Sequence, residues 1–263
     1  MTDAGTGISY HVGPMTRTAR DAATVLDAIA GYDPEDPTSL NVEYVPVTGE
    51  LDEFPGGLRI GIAREFFMDD LDDEVRVGFD SALERLGRML GQRPVEVTVP
   101  LEKSNVVRVA EPYAYHEKLL EHSAELYQPA TLERIKAGAG ISATKYLEVR
   151  RELEVLRRSS VEIFKSVDLV VTPTVPCLPY SIDDLLENPA ELRPKELRML
   201  RNTRPFNTLG WPAITVPCET AGQLPIGLQI AAAPGRDGLL LKLGRAWEQE
   251  TKWSGRLPVT PEV

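Results

Sequence analysis

The sequence is short of the residues that most often carry chemistry. Its 263 residues include two cysteines and three histidines. Cys177 and Cys218 lie far apart and neither belongs to a CxxC pair, so they read as buried free thiols in a reducing compartment. His11, His116 and His122 show no HExxH or other metal-ligand spacing, so no metal and no cofactor is expected. There is no GxGxxG or P-loop pattern, which leaves nucleotide binding without support. No apolar run approaches the ~20 residues that span a bilayer. The opening residues, MTDAGTGISYH, have neither a basic start nor an apolar stretch, so a cytoplasmic chain is expected. Positive charge is also in deficit: 29 Lys and Arg against 40 Asp and Glu give a net charge of -11. Such a surface repels phosphate backbones and anionic lipid, so neither nucleic acid nor membrane is an expected partner.

What is present is an ordinary core-forming composition, 42% apolar, with alternating secondary-structure signals. In TRTARDAATVLDAIAGYDPEDPTS, residues Ala19, Ala22, Ala23, Leu26, Ile29 and Ala30 recur at helical spacing. Thr16 or Thr18 can cap that helix, Gly31 suits its end, and DPEDPTS follows as a loop. LRIGIA (58–63) reads as a strand. A helix over about 73–90 carries Val75, Phe79, Leu83, Leu86 and Leu90, and VEVTV (95–99) is a second strand. A β-α-β unit of this kind predicts parallel strands. Residues 104–165 are helical, broken at Gly138–Gly140, with Ser142 as the cap of the next helix. DLVVTPTVP (168–176) reads as a buried strand and 178–200 as a loop with short helices. RNTRPFNTLGWP (201–212) reads as turns, AITVP (213–217) and LPIGLQIAA (224–232) as strands, and 235–251 as a last helix. The pattern predicts a layered α/β/α protein with a central mixed sheet, residues 1–263 forming one unit without repeats or linkers.

Five segments taken together resemble the amidase-signature family. They are VGPMTRTARDAATVLDAIAGYDPEDPTS, LRIGIAREFF, DLVVTPTVP, RNTRPFNTLGWPAITVPC, and LPIGLQI followed by a helix ending in WEQET. The resemblance runs from about Tyr10 to about Pro258 and is similar to the portion of the family that follows its signature stretch. It implies a serine hydrolase that cleaves carboxylic amides to acid and ammonia or amine. Members resemble one another in using a Ser nucleophile, a second Ser and a Lys, the serines lying in a GGSSGGS-type stretch. No such stretch occurs here, so no catalytic residue is carried over. An activated hydroxyl needs a base within reach and donors aimed at the oxyanion. The expectation is therefore the carboxy-terminal part of an amidase domain, not catalytic alone and marginally stable or self-associating.

The remaining candidates are weaker. Ser142 reads as a helix cap, and Ser159 and Ser160 sit in a charged helix with no glycine-rich turn. Lys145 and Lys165 read as solvated, and His11 and His116 as structural. Thr172, Pro173 and Thr174 follow a strand, where α/β sheets bind ligands, so they are either a pocket wall or a rigid turn. Asn202, Thr203, Phe206 and Asn207 offer amide-reading hydrogen bonds and an apolar wall, and read as substrate lining or as turn chemistry. Two other readings stand beside the amidase portion. One is an obligate partner of a second chain carrying the catalytic half; the other is a non-catalytic binding domain. The glutaminase branch of tRNA-dependent amidotransferases is less favoured, because Leu200 stands near the position where that branch carries an acid.

Overall fold

The computed structural model describes residues 11, 13–36, 39–221 and 224–256. Val12, Pro37 and Thr38 of the DPEDPTS loop and the tail from residue 257 onward lie outside the described residues. Helix α1 (Ala19–Ile29) begins at Thr18, whose side chain accepts from Asp21 N–H at 3.0 Å. The β-α-β unit forms as expected. Strand β1 (Ile60–Ile62) leads into α2 (Asp73–Leu90), and β2 (Val95–Glu96) returns parallel to β1 with Gly61 opposite Val95. Both strands are shorter than the sequence pattern suggests, since ladder pairing between them covers only Gly61–Ile62 and Val95–Glu96. Then follow α3 (Val106–Ser123), α4 (Pro129–Lys136) and α5 (Ala143–Ser160), the last capped by Ser142 through Lys145 N–H.

Strand β3 (Leu169–Pro173) pairs parallel to β1, with Val170 opposite Gly61. After α6 (Ile182–Glu187), α7 (Pro189–Met199) and α8 (Arg204–Leu209), strands β4 (Ala213–Ala221) and β5 (Leu224–Ala232) pair antiparallel. Strand β5 also lies antiparallel to β3, and α9 (Asp237–Thr251) ends the described core. The sheet order is β2-β1-β3-β5-β4, a mixed sheet as expected. Three readings are corrected. Thr172 and Pro173 lie within β3 rather than after a strand, because pairing with Gln229 and Leu228 of β5 carries the strand through them. Residues 201–212 are not only turns: Pro205 fits the first turn of α8, where no N–H is needed, and Gly210 closes it at φ 71°, a region few other residues accept. Cys218 lies within β4 rather than after a strand, because pairing with β5 carries the strand on past a bulge at Pro217–Glu219.

One side of the sheet packs on α2 and α9. Ile60, Ile62, Leu169, Val171, Leu228 and Ile230 meet Phe79, Leu86, Leu243 and Trp247. The other side meets α8, where Phe206, Leu209 and Trp211 cover Val170 and Ala231. All five residues of β3 are buried, as befits a parallel strand covered on both sides. Each such Leu, Ile or Phe contributes about 1.5–3 kcal/mol by leaving water. Helices α3 and α5 pack together through Val107, Val149 and Leu153 as a satellite layer. Cys177 and Cys218 are buried and form no disulfide among the described residues, and burial pushes the Cys177 thiol up. His116 Nδ1 stands 2.8 Å from the Tyr127 hydroxyl, the hydrogen-bonded histidine expected of it. No helix among the described residues is long and apolar enough to cross a membrane.

Asp168 fastens the starts of the two parallel strands. Its carboxylate accepts from Arg59 N–H at 2.8 Å and from Arg59 Nε and Nη2 at 3.0 and 2.9 Å. The Arg59 guanidinium holds the Asp168 carboxyl below its ordinary range. A depressed carboxylate contributes stability above its unfolded pKa of about 4 and loses it as pH falls through the lower folded value. Asp168→Asn should cost about 1 kcal/mol at neutral pH, since the pair is partly exposed. Urea midpoints across a pH series should show the variant converging on the parent in acid; a constant gap would refute the assignment.

Candidate active site

The candidate site is built beyond the carboxyl ends of β1 and β3, where an open α/β sheet presents its loops. Asn202 stands in the turn between α7 and α8 and is fully buried. Its Nδ2 donates to Phe67 O at 3.1 Å and to Pro173 O at 3.0 Å. One amide thereby joins the loop after β1 to the end of β3. Gln229, opposite Thr172 in the ladder, donates from Nε2 to Thr172 Oγ1 at 2.9 Å and to Asn202 O at 3.2 Å. Asn202 Oδ1 is buried with no hydrogen-bond partner among the described residues.

Two arginines close the same loop. Arg201 donates from Nε and Nη2 to Phe66 O at 3.2 and 2.8 Å, and its guanidinium lies 4.1 Å from the Phe66 ring centre. Phe66 is held at φ 68°, a left-handed conformation that a bulky residue avoids without support. Arg198 reaches Asp70 at 2.9 Å, Asp72 at 2.8 Å and the Tyr180 hydroxyl at 3.3 Å. That guanidinium holds the Asp70 carboxyl below its usual range, and the same hydrogen bonds raise Arg198. Asp72 also accepts from Leu178 N–H at 3.1 Å, so the loops after β1 and β3 are tied at a further point. Arg198 lies in the last turn of α7, and Arg201 and Asn202 in the turn that follows it, so the three enter this region in succession.

The seven residues expected to line a substrate divide in two. Thr172, Pro173, Asn202 and Phe206 are buried. Phe206 stacks on Phe67 with ring centres 5.6 Å apart and lies 6.1 Å from Trp211. Thr174, Thr203 and Asn207 are half-buried and keep part of their surface open. Thr203 Oγ1 donates to Leu200 O at 3.3 Å. The 66–67 loop, Arg198, Arg201 and Gln229 are not among the residues expected from the sequence. A glutamine inside the apolar run LPIGLQIAA is the one signal that points to them, since a buried amide needs partners. A groove of about 660 Å³ lies elsewhere, along α2 and β2, lined by Arg64, Arg88, Arg93 and Glu96 among others. Ser159 and Ser160 bond to carbonyls of their own helix at 3.0 and 2.8 Å, and Lys145 pairs with Glu148 at 3.0 Å.

A layered α/β protein, with polar braces gathered beyond its parallel strand ends, is the class these features define. The amidase family model matches residues 4–241, and the chain belongs to the amidase-signature family. It is 33% identical over 259 residues to an amidase of Pseudomonas putida, covering 94% of this chain and 54% of that protein. It is 30% identical to a glutamyl-tRNA(Gln) amidotransferase subunit of Chloroflexus aggregans, covering 94% and 56%. Its fold superposes on 6-aminohexanoate cyclic dimer hydrolase in complex with substrate, with a TM-score of 0.78 at 25% identity, covering 92% and 55%. The chain thus spans about half the length of the relatives it matches.

Removing the Asn202 amide tests the brace. Asn202→Ala leaves the Phe67 and Pro173 carbonyls buried without that donor and should cost about 2–4 kcal/mol. Asn202→Asp keeps the volume but, ionised, can only accept, so it should lose at least as much. Urea unfolding of both variants checks this; parental stability in Asn202→Asp would show that volume, not donation, is what the site needs.

Proposed function

We propose that this chain supplies the scaffold and one wall of a site that hydrolyses carboxylic amides to acid and ammonia or amine. Membership of the amidase-signature family over residues 4–241 carries this reading. Thr174, Thr203 and Asn207, which keep open surface, would touch substrate. Thr172, Pro173, Asn202 and Phe206 would hold that wall from beneath, with Asn202 fixing the loop carbonyls on which its shape depends. Substrate-positioning groups of this kind work by holding a reactive geometry, and displacement of the wall by about 1 Å can cost about a hundredfold in rate.

The nucleophile in this reading comes from a segment outside these 263 residues, since they hold no Gly/Ser-rich stretch of the family's type. Ser142, Ser159 and Ser160 support this, being capping or helix-bonded groups. The substrate reading favours a general amide over glutamine. Leu200, near the position where the glutaminase branch carries an acid, offers no charge for an ammonium group.

Ammonia release from simple amides tests the proposal. The chain alone should show no turnover and no adduct with a serine-directed phosphonate. Mixing it with the part of the Pseudomonas putida amidase that it does not match should yield turnover. In that mixture, Asn207→Ala should lower kcat/KM by about 10–100-fold with little change in melting temperature. Turnover or a phosphonate adduct on the chain alone would overturn the assignment. Amide binding by the chain without turnover in any mixture would instead support a non-catalytic binding domain.

A further inference from the structure

The groove along α2 and β2 lies at the opposite end of the sheet from β4, and it gathers arginine in a chain whose net charge is -11. Its charged lining is Arg64, Arg88 and Arg93 against Glu84 and Glu96, so positive charge is in excess. The local fold brings this about. Gly91 ends α2 at φ 65° and turns the chain back on the helix. Gln92 N–H donates to Gly87 O at 2.9 Å, and a Cβ at Gly87 would stand 2.9 Å from Gln92 O, so the returning chain lies this close only over glycine. Arg93 is thereby brought back beside the turn that carries Arg88, and both border one groove.

These two guanidinium groups are little used by the fold. Arg93 is exposed, and its side chain has no ion-pair or hydrogen-bond partner among the described residues. Arg88 is 70% exposed, and the Glu84 carboxylate it faces stands 3.8 Å away, beyond hydrogen-bond length. Arg64, by contrast, is engaged by Glu96 at 3.1 Å. A cation in the last helical turn ordinarily offsets open carbonyls there. At this helix end Arg88 O accepts from Gly91 N–H at 3.3 Å and Gly87 O from Gln92 N–H, so the backbone already fills that role. The lining between the charged groups is Ile62, Leu83 and Pro94, which carry no acid. A volume of about 660 Å³ falls within the range of small-molecule sites.

We propose that this groove is a site for a phosphate dianion, free or carried on a small organic body, with Arg88 and Arg93 as the groups that hold it. Two guanidinium forks match the charge of one dianion, and each can give paired N–H bonds to phosphate oxygens. A chain this acidic repels extended polyanions, but a single phosphate responds to the charges within about 8 Å of it. The space beside Ile62, Leu83 and Pro94 exceeds what phosphate alone fills and suits an organic body. The groove lies on the α2 side of the sheet and the proposed amide wall on the α8 side, so this site does not depend on the amide reading.

The test is isothermal titration calorimetry of the full chain with inorganic phosphate and with phenyl phosphate, at about pH 8, where both are dianions. Sodium chloride of matched ionic strength is the blank. Saturable one-to-one binding is expected, with a Kd of order 0.1–1 mM. Arg88→Gln and Arg93→Gln should each weaken it by at least about tenfold. Arg151→Gln, which removes an exposed arginine of α5 outside the groove, should leave it unchanged. Circular dichroism and urea midpoints establish that each variant folds. Tighter binding of phenyl phosphate assigns the groove to an organic phosphate; equal affinities keep the site and assign it to phosphate itself. No saturation by either probe up to about 10 mM overturns the proposal. So does a loss in Arg151→Gln equal to that in the groove variants, or the same heat from sodium chloride, for the attraction is then that of exposed arginines in general.

Discussion

The two hydrogen bonds donated by the Asn202 amide hold together what packing alone does not. The loop after β1 and the end of β3 both present backbone carbonyls in a buried place, and a buried carbonyl without a donor costs about 1–3 kcal/mol. Asn202 satisfies Phe67 O and Pro173 O with one side chain. The helices just before it contribute little apolar anchoring, since α6 and α7 bury no residue. Ile182 and Leu186 stand 74% and 72% exposed, which leaves polar contacts to fix where the chain re-enters the core. Arg198, Arg201 and Asn202 supply those contacts in succession, and each falls on the 66–72 loop or on the loop and strand end after β3.

Placement of α8 depends on that re-entry. Once Asn202 is fixed, the following turn delivers Phe206 onto Phe67 and Trp211 into the same cluster. Trp211 Nε1 then donates to Ser160 Oγ at 3.1 Å, and Arg157 Nε to Thr208 O at 2.6 Å, so α5 is bound to α8 by polar contacts around an aromatic centre. The left-handed Phe66 belongs to the same arrangement. Its backbone conformation costs of order 1–3 kcal/mol and persists because Arg201 occupies both its carbonyl and its ring. Strain of this kind persists only where convergent contacts over-determine the backbone.

How much of this is legible in the sequence depends on the range of the interactions. Helix α2 and strand β5 are expected at their observed bounds because their apolar spacing is local and long enough to be unambiguous. Ser142 is readable as a cap for the same reason. The 201–212 stretch misleads because Pro, Asn and Gly are turn residues in isolation, whereas here Pro205 and Gly210 are the start and stop of a six-residue helix. The brace itself is beyond reach. Asn202 contacts a carbonyl 135 residues away, and no periodicity in one sequence encodes that meeting. Phe206 reads as a pocket wall or as turn chemistry, since hydrophobicity is equally suited to a wall and to a core; the structure puts it in the core.

The face covered by α8 and the face left open on β4 have a common origin. Alternation along the strands sends Val170, Thr172, Gln229, Ala231, Ala213 and Thr215 to the same side of the sheet. A six-residue helix can cover only part of such a row, and α8 sits over Val170 and Ala231. Thr172 and Gln229, at the margin of that cover, bond to each other and to Asn202. Thr174, just past the end of β3, meets Thr215, opposite Gln229 on β4, at 3.4 Å. Polarity therefore rises along this side, from aliphatic under the helix, through paired amide and hydroxyl, to the threonine hydroxyls at Thr174 and on β4. Dry support graded into accessible hydrogen-bonding groups is the order a wall needs if its outer residues are to meet a substrate while its inner ones do not move.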